Sequence, residues 1–307
     1  GRYVLFSSFA NDLVTQDVGN FEDVFVRDMQ SGTTRMVSLI PSGLTSGNDD
    51  SFESSISQDG RFVAFASYAT NLTTTGKSAN LIDIFVRDLL TGVTTLVSTR
   101  QGGGFGAQDD SLNPQVSADG QVVVYRSVAN NIADNDENFA SDVFAWQAGT
   151  NTLLGARVGA TGNNYSQEPT LSSDGTKLAF VSYASNLAPY DTNFAADVFV
   201  RDLTAGQTEL VSVNAGGVGG GNWHSIYPRL SLDGRYVSFV SFASDLVNGD
   251  VNAAADVFRR DRLTGLTTLV SVNHTGTGPG NADSSDAKIT PNGQFIIFES
   301  AASDLAT

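Results

Sequence analysis

Three stretches of the chain repeat one arrangement of oxygen-bearing side chains. They are Asp136, Asn138 and Asp142, then Asp191, Asn193 and Asp197, then Asp250, Asn252 and Asp256, each spaced Asp-x-Asn-x-x-x-Asp. A fourth, Asp17-Val18-Gly19-Asn20-Phe21-Glu22-Asp23, keeps the outer acids and shifts the Asn. Alternating oxygen donors on a short loop suit a hard cation such as Ca²⁺, which takes about six to eight oxygens. A fifth stretch breaks the pattern: six residues before Asp83 stands Lys77, and four before it Ala79. An ammonium group occupies the place of the first acid, as though it filled a cation's position. The same residue types also suit turn capping, in which Asp and Asn side chains bond nearby backbone groups. The spacing matches part of an EF-hand loop without its Gly and terminal Glu, so both readings stand.

A second pattern is Asn/Gln-x-x-Ser, as in Gln108 to Ser111, Asn163 to Ser166 and Asn222 to Ser225. The residue before Ser varies: Asp50, Asp110, Tyr165, His224, Asp283. A fixed frame around one variable position can read a ligand, with Tyr165, Trp223 and His224 as an aromatic patch of the kind common at recognition sites. The bland alternative is a loop packed on its neighbour. Arg27, Arg87, Arg201 and Arg260, each followed by Asp, read as structural charge-assisted contacts between repeats. The third repeat has Ala145-Trp146-Gln147 instead, which a shared catalytic role would not allow.

Known catalytic constellations are missing. The chain has no Cys and two His, His224 and His274, both in glycine-rich stretches. It carries no Gly-x-Ser-x-Gly elbow and no His-Glu-x-x-His pair. Its glycine runs do not open helices. Paired carboxylates leave a glycosidase dyad open on composition alone, but acids repeated from unit to unit fit a repeated structural ion better than one asymmetric centre.

The elements that must hold these loops follow from an internal repeat. Asp-Gly turns at Gly60, Gly120, Gly175 and Gly234, an Asn-Gly turn at Gly293, and Gly1 in the same slot mark units of about 59 residues. Each unit reads as four strands: a short first strand such as Pro114 to Ser117, an apolar second (Phe62 to Ala66), a Val-Phe-Val-Arg-Asp third, and a fourth (Thr94 to Ser98). Four antiparallel strands repeated about an axis give an all-β propeller, in which neighbouring blades cover each other's faces. The chain, 1–307, reads as a single such domain, with a window that begins and ends inside the repeat. Six blades are favoured over five. The tight Asp-Gly and Thr-Gly turns emerge on one side and the long connections on the other, so the long-loop face is where function is expected.

The Ser-x-Asp-Gly phrase followed by Asp-Val-Phe-Val-Arg-Asp-Leu-x-Thr-Gly resembles TolB-like propeller repeats, and the resemblance covers essentially the whole chain. It implies an exported bacterial protein: periplasmic, extracellular or surface-attached. Excess acid, 33 Asp+Glu against 17 Lys+Arg, argues against nucleic acid as a partner. No apolar run is long enough to span a membrane as a helix. The combined expectation is a non-enzymatic scaffold or binding module, stiffened by Ca²⁺, that takes a protein or glycan partner on its long-loop face. The alternative is the propeller of a carbohydrate-active enzyme or an accessory domain of a larger hydrolase.

Overall fold

Each Asp-Gly turn is built the same way. Ser57 Oγ donates to Asp59 Oδ1 at 2.6 Å, the Gly60 amide closes the turn on Ser57 O at 2.9 Å, and Gly60 takes φ +78°. A β-carbon on Gly60 would stand 2.3 Å from the ring of Tyr3 in the preceding blade. Gly120 stands in the same relation to Phe62, and Gly293 to Tyr236. Glycine is therefore required twice over, for the left-handed backbone and for the close approach of the next ring.

The computed structural model describes residues 1–134, 136–154, 156–157 and 160–306. The chain forms two compact units, Gly1–Leu154 and Gly155–Thr307. The first unit holds a three-stranded sheet, β1 (Tyr3–Ser8), β2 (Asp23–Asp28) and β3 (Thr33–Met36). Two four-stranded sheets follow: β4 (Ser51–Ile56), β5 (Phe62–Ser67), β6 (Asp83–Asp88) and β7 (Thr94–Leu96); then β8 (Ser111–Val116), β9 (Val122–Ser127), β10 (Asp142–Gln147) and β11 (Thr150–Leu153). The second unit opens with a short pair, β12 (Ala156–Arg157) and β13 (Ala160–Thr161). Its blades are β14 (Ser166–Leu171), β15 (Lys177–Ser182), β16 (Asp197–Asp202) and β17 (Gln207–Leu210); then β18 (Ser225–Leu230), β19 (Tyr236–Ser241), β20 (Asp256–Asp261) and β21 (Leu266–Leu269). The last sheet pairs β22 (Ser284–Ile289) with β23 (Ile296–Ser300). All pairings are antiparallel in sequence order, the up-and-down blade of a β-propeller.

The second and third strands carry the core. Val63, Ala64, Phe65 and Ala66 are fully buried, as their unbroken apolar run requires of a strand covered on both faces. Cross-strand aromatic pairs repeat from blade to blade: Phe65 with Phe85 and Phe180 with Phe199 at 5.7 Å, Phe239 with Phe258 at 5.8 Å. Tyr125 takes the Phe place in the third blade, and its buried hydroxyl donates to Asn151 Oδ1 at 2.8 Å.

Three expectations need correction. The first strand begins earlier than Pro114, at Ser111, because the backbone pairs Ser111 with Ser127 and Leu112 with Arg126, and the two serine hydroxyls bond at 3.0 Å. The fourth strand stops at Leu96, because Ser98 turns its hydroxyl onto Asp83 Oδ1 at 2.6 Å. The repeated arginines mostly bond within their own blade: Arg27 donates to Thr34 Oγ1, Arg201 to Thr208 Oγ1 and Arg260 to Thr267 Oγ1. Only Arg87 among them is also seen to reach the preceding blade, at Leu39 O. The aspartates that follow three of them pair instead with the basic residue after the Asp-Gly turn, Arg61 with Asp88, Lys177 with Asp202 and Arg235 with Asp261.

Candidate functional site

The loop between second and third strands closes on its final aspartate. Asp23, Asp83, Asp142, Asp197 and Asp256 are fully buried, each the first residue of a third strand. A hydroxyl two residues beyond the fourth strand donates to one oxygen in four blades: Ser38 to Asp23, Ser98 to Asp83, Ser212 to Asp197 and Ser271 to Asp256. The residue six positions earlier is buried too, with Asp17 and Asp136 at 9% exposure, Asp191 at 4%, Asp250 at 6% and Lys77 at 8%. The spacing thus brings two carboxyl groups into the protein interior in four loops.

Each Asn of the motif does something other than face outward. Asn138, Asn193 and Asn252 accept the backbone N–H of Ala140, Ala195 and Ala254 at 2.9, 3.0 and 3.1 Å. Their amide groups donate to Oδ2 of Asp142, Asp197 and Asp256 at 2.8, 2.7 and 2.8 Å. Asn193 and Asn252 donate further to Gly221 O and Gly280 O of the following inter-blade loop. The turn-capping role foreseen for these residues is therefore present in the Asn, which also orients the final carboxylate.

The aspartates are less well provided for. Asp17 Oδ1, Asp23 Oδ2, Asp83 Oδ2, Asp136 Oδ1 and Asp142 Oδ1 are buried and accept no hydrogen bond. Burial pushes the Asp23, Asp142 and Asp197 carboxyls up to about 7 and those of Asp191 and Asp250 up to about 6; Asp17, Asp136 and Asp256 move in the same direction. Proximity adds to burial where Asp17 faces Asp23, Asp136 faces Asp142 and Asp191 faces Asp197. Among the described residues no cluster of three or more His, Cys, Asp or Glu is assembled, so each loop offers a carboxylate pair.

The Lys77 loop shows the same space filled. Lys77 Nζ donates to Leu81 O at 2.6 Å and Tyr68 O at 3.0 Å and stands 3.7 Å from Asp83 Oδ2, with 1% of its side chain exposed. Burial lowers the lysine's pKa, the Asp83 charge opposes that shift, and burial raises Asp83 to about 6.

No protein-family model matches the chain, and no curated protein matches it. Among solved structures, the tricorn protease is similar over 97% of this chain and 27% of its own, at 13% identity and a TM-score of 0.55. Dipeptidyl peptidase 4 from Porphyromonas gingivalis is similar over 90% of this chain and 39% of its own, at 13% identity and a TM-score of 0.51. TolB from Acinetobacter baumannii is similar over 98% and 61% respectively, at 15% identity and a TM-score of 0.49. The likeness is one of fold. This chain spans less than two thirds of each of those proteins.

On the propeller, the variable position before Ser has a definite job. Asp50, Asp110 and Asp283 accept the backbone N–H of Glu22, Ile82 and Ala255 from the preceding blade at 2.8, 2.8 and 2.9 Å. His224 accepts Ala196 N–H through Nδ1 at 2.9 Å in the same relation. Its ring is an inter-blade acceptor. Tyr165 stacks on Tyr183 at 4.4 Å, His224 lies 5.5 Å from Tyr183 and 4.9 Å from Trp223, and Trp223 is exposed. The three aromatic candidates are thus brought into one row, joined by Tyr183.

Sequence reasoning missed the exposed tips. Phe139, Phe194 and Ala253, three residues after the first Asp, hold φ of +53°, +57° and +54°, and the two Phe rings are among the most exposed in the chain. A bulky residue held left-handed is strained by about 1–2 kcal/mol, a feature that gathers at functional sites. Phe at a position that favours Gly or Asn was the available signal. Among the described residues no helix is long and apolar enough to cross a membrane.

Proposed function

We propose that this chain is a non-enzymatic propeller of an exported protein, a scaffold or binding module whose long-loop face is stiffened by Ca²⁺. The cations lie at the pairs Asp17/Asp23, Asp136/Asp142, Asp191/Asp197 and Asp250/Asp256. The observation that carries this reading is a pair of buried carboxyl groups in each of four loops. In two of these loops, at Asp17/Asp23 and Asp136/Asp142, buried oxygens also lack a donor, whereas Asp83 Oδ2, likewise without a hydrogen bond, has the Lys77 ammonium at 3.7 Å. A buried unpaired carboxylate is costly, and a divalent ion offsets two such charges at once. Carbonyls and water complete the shell, since Ca²⁺ accepts about six to eight oxygens at roughly 2.3–2.6 Å in flexible geometry. The motif's Asn residues act as positioning groups through their bonds to the final Asp.

The partner side of the reading rests on the exposed rings at Phe139, Phe194 and Trp223, which favour a protein or glycan that takes aromatic contacts. Export is supported by the resemblance of the repeat to TolB-like propellers. A second reading, an accessory propeller of a larger hydrolase, is supported by likeness to two peptidases of which this chain spans 27% and 39%.

The test is thermal melting in EGTA and in millimolar Ca²⁺, on wild type, Asp191→Ala and Lys77→Ala. Calcium raises the melting temperature of wild type and Lys77→Ala and raises that of Asp191→Ala less. A site filled at a hundredfold excess over Kd adds about 2.7 kcal/mol. Identical melting under both conditions in all three proteins refutes the metal reading and leaves the aspartates as turn caps.

A further inference from the structure

Four loops share a frame set by the serine at their start and by fixed positions counted back from their final aspartate. In each, the serine ending the second strand pairs with the final aspartate: Ser67 with Asp83, Ser127 with Asp142, Ser182 with Asp197 and Ser241 with Asp256. The serine hydroxyl accepts the N–H two residues on, at Ala69, Ala129, Ala184 and Ala243, which fixes the backbone of the residue between. Three residues before each aspartate stands a left-handed residue, Asn80, Phe139, Phe194 or Ala253. Six before it stands the buried Lys77, Asp136, Asp191 or Asp250. The extra residue of the Lys77 loop, 16 steps from Ser67 to Asp83 against 15 elsewhere, therefore falls before Lys77 and leaves the rest in register.

We propose, resting on the calcium reading above, that Lys77 is a tethered counterpart of the bound cation, so that in the third, fourth and fifth loops the ion sits where Lys77 Nζ sits. The lysine then names ligands that side-chain motifs cannot. Its ammonium is held by the carbonyls of Tyr68 and Leu81 and faces Asp83. By register the corresponding carbonyls are those of Val128 and Ala140, Tyr183 and Ala195, and Phe242 and Ala254. Reach agrees as well. An aspartate side chain plus one metal–oxygen distance of about 2.3–2.6 Å extends about as far from the backbone as a lysine chain does. Donors with full and partial negative charge from opposite ends of the loop would thus tie the end of the second strand to the start of the third. The second blade makes the same tie permanently, without a metal.

Two measurements decide this. A crystal structure of the full chain grown with Ca²⁺ should show, after the two ends of each loop are superimposed on residues 67–69 and 77–83, a cation coinciding with Lys77 Nζ and contacted by the named carbonyls. Ions bound at other places on the loops overturn the inference while sparing the calcium reading. Equilibrium dialysis with Ca²⁺ should show one more bound ion per chain for Lys77→Asp/Ala79→Asn than for wild type, and no gain for Lys77→Met. A folded double variant with unchanged stoichiometry overturns the inference, whereas a wild type that binds no Ca²⁺ overturns both. If the double variant does not fold, the superposition in wild type still decides.

Discussion

The Lys77 ammonium and the Asp83 carboxylate face each other at 3.7 Å with 1% and 0% of their side chains exposed, a buried ion pair inside a single loop. Removing one partner of such a pair leaves a buried charge uncompensated. Lys77→Met should therefore lower unfolding free energy by about 3–5 kcal/mol, and Lys77→Met/Asp83→Asn should recover part of the loss. Urea unfolding of the three variants measures the coupling. A double variant as weak as the single one would show that the lysine acts through packing alone.

Without bound cation, the buried acids make stability fall as pH rises. Their folded values lie above the usual carboxylate range, about 7 at Asp23, Asp142 and Asp197 and about 6 at Asp191 and Asp250. The folded chain then binds more protons than the unfolded one between pH 4 and 7. That favourable linkage is complete below the unfolded value and is lost as pH passes the folded one. In EGTA, the melting temperature should drop across this window. Saturating Ca²⁺, which binds the deprotonated pairs, should flatten or reverse the slope.

Gly60→Ala should cost far more than Gly43→Ala. Both glycines are left-handed, at φ +78° and +70°, so each substitution carries about 1–2 kcal/mol of backbone strain. A β-carbon at Gly43 meets nothing within 4 Å, whereas at Gly60 it falls 2.3 Å from the Tyr3 ring and must displace it. Overpacking adds about 1–3 kcal/mol at Gly60. Chemical denaturation of both variants gives the difference directly.

His224 separates a structural role from a ligand-reading one. His224→Ala leaves the Ala196 N–H without its acceptor and should cost about 1–3 kcal/mol, while His224→Asp restores the arrangement seen at Asp50, Asp110 and Asp283. Trp223→Ala, at an exposed ring, should leave stability within about 0.5 kcal/mol of wild type. Melting curves of the three variants test this ordering.

Much of the molecule was legible from local pattern. The blade strands follow from apolar runs, the turns from Asp-Gly, and the loop acids from a spacing repeated in four blades, because each depends on residues close in sequence. The double demand on Gly60 was only half visible, since its second reason is a ring 57 residues away at Tyr3. The tertiary structure decided what the side chains do. Asn193 was a candidate ligand by spacing, yet it caps its own loop, orients Asp197 and reaches Gly221 O, 28 residues on. His224 read as a recognition residue, yet its ring accepts an amide from the preceding blade, also 28 residues away. In both cases the partner is a backbone group, which every residue carries, so no residue type in the sequence could mark it. Only the packing of an inter-blade loop onto its neighbour brings that group within reach. Lys77 sits between these cases: its charge in an acid's place was readable, but the two carbonyls that hold it exist as a site only once the second and third strands are in register.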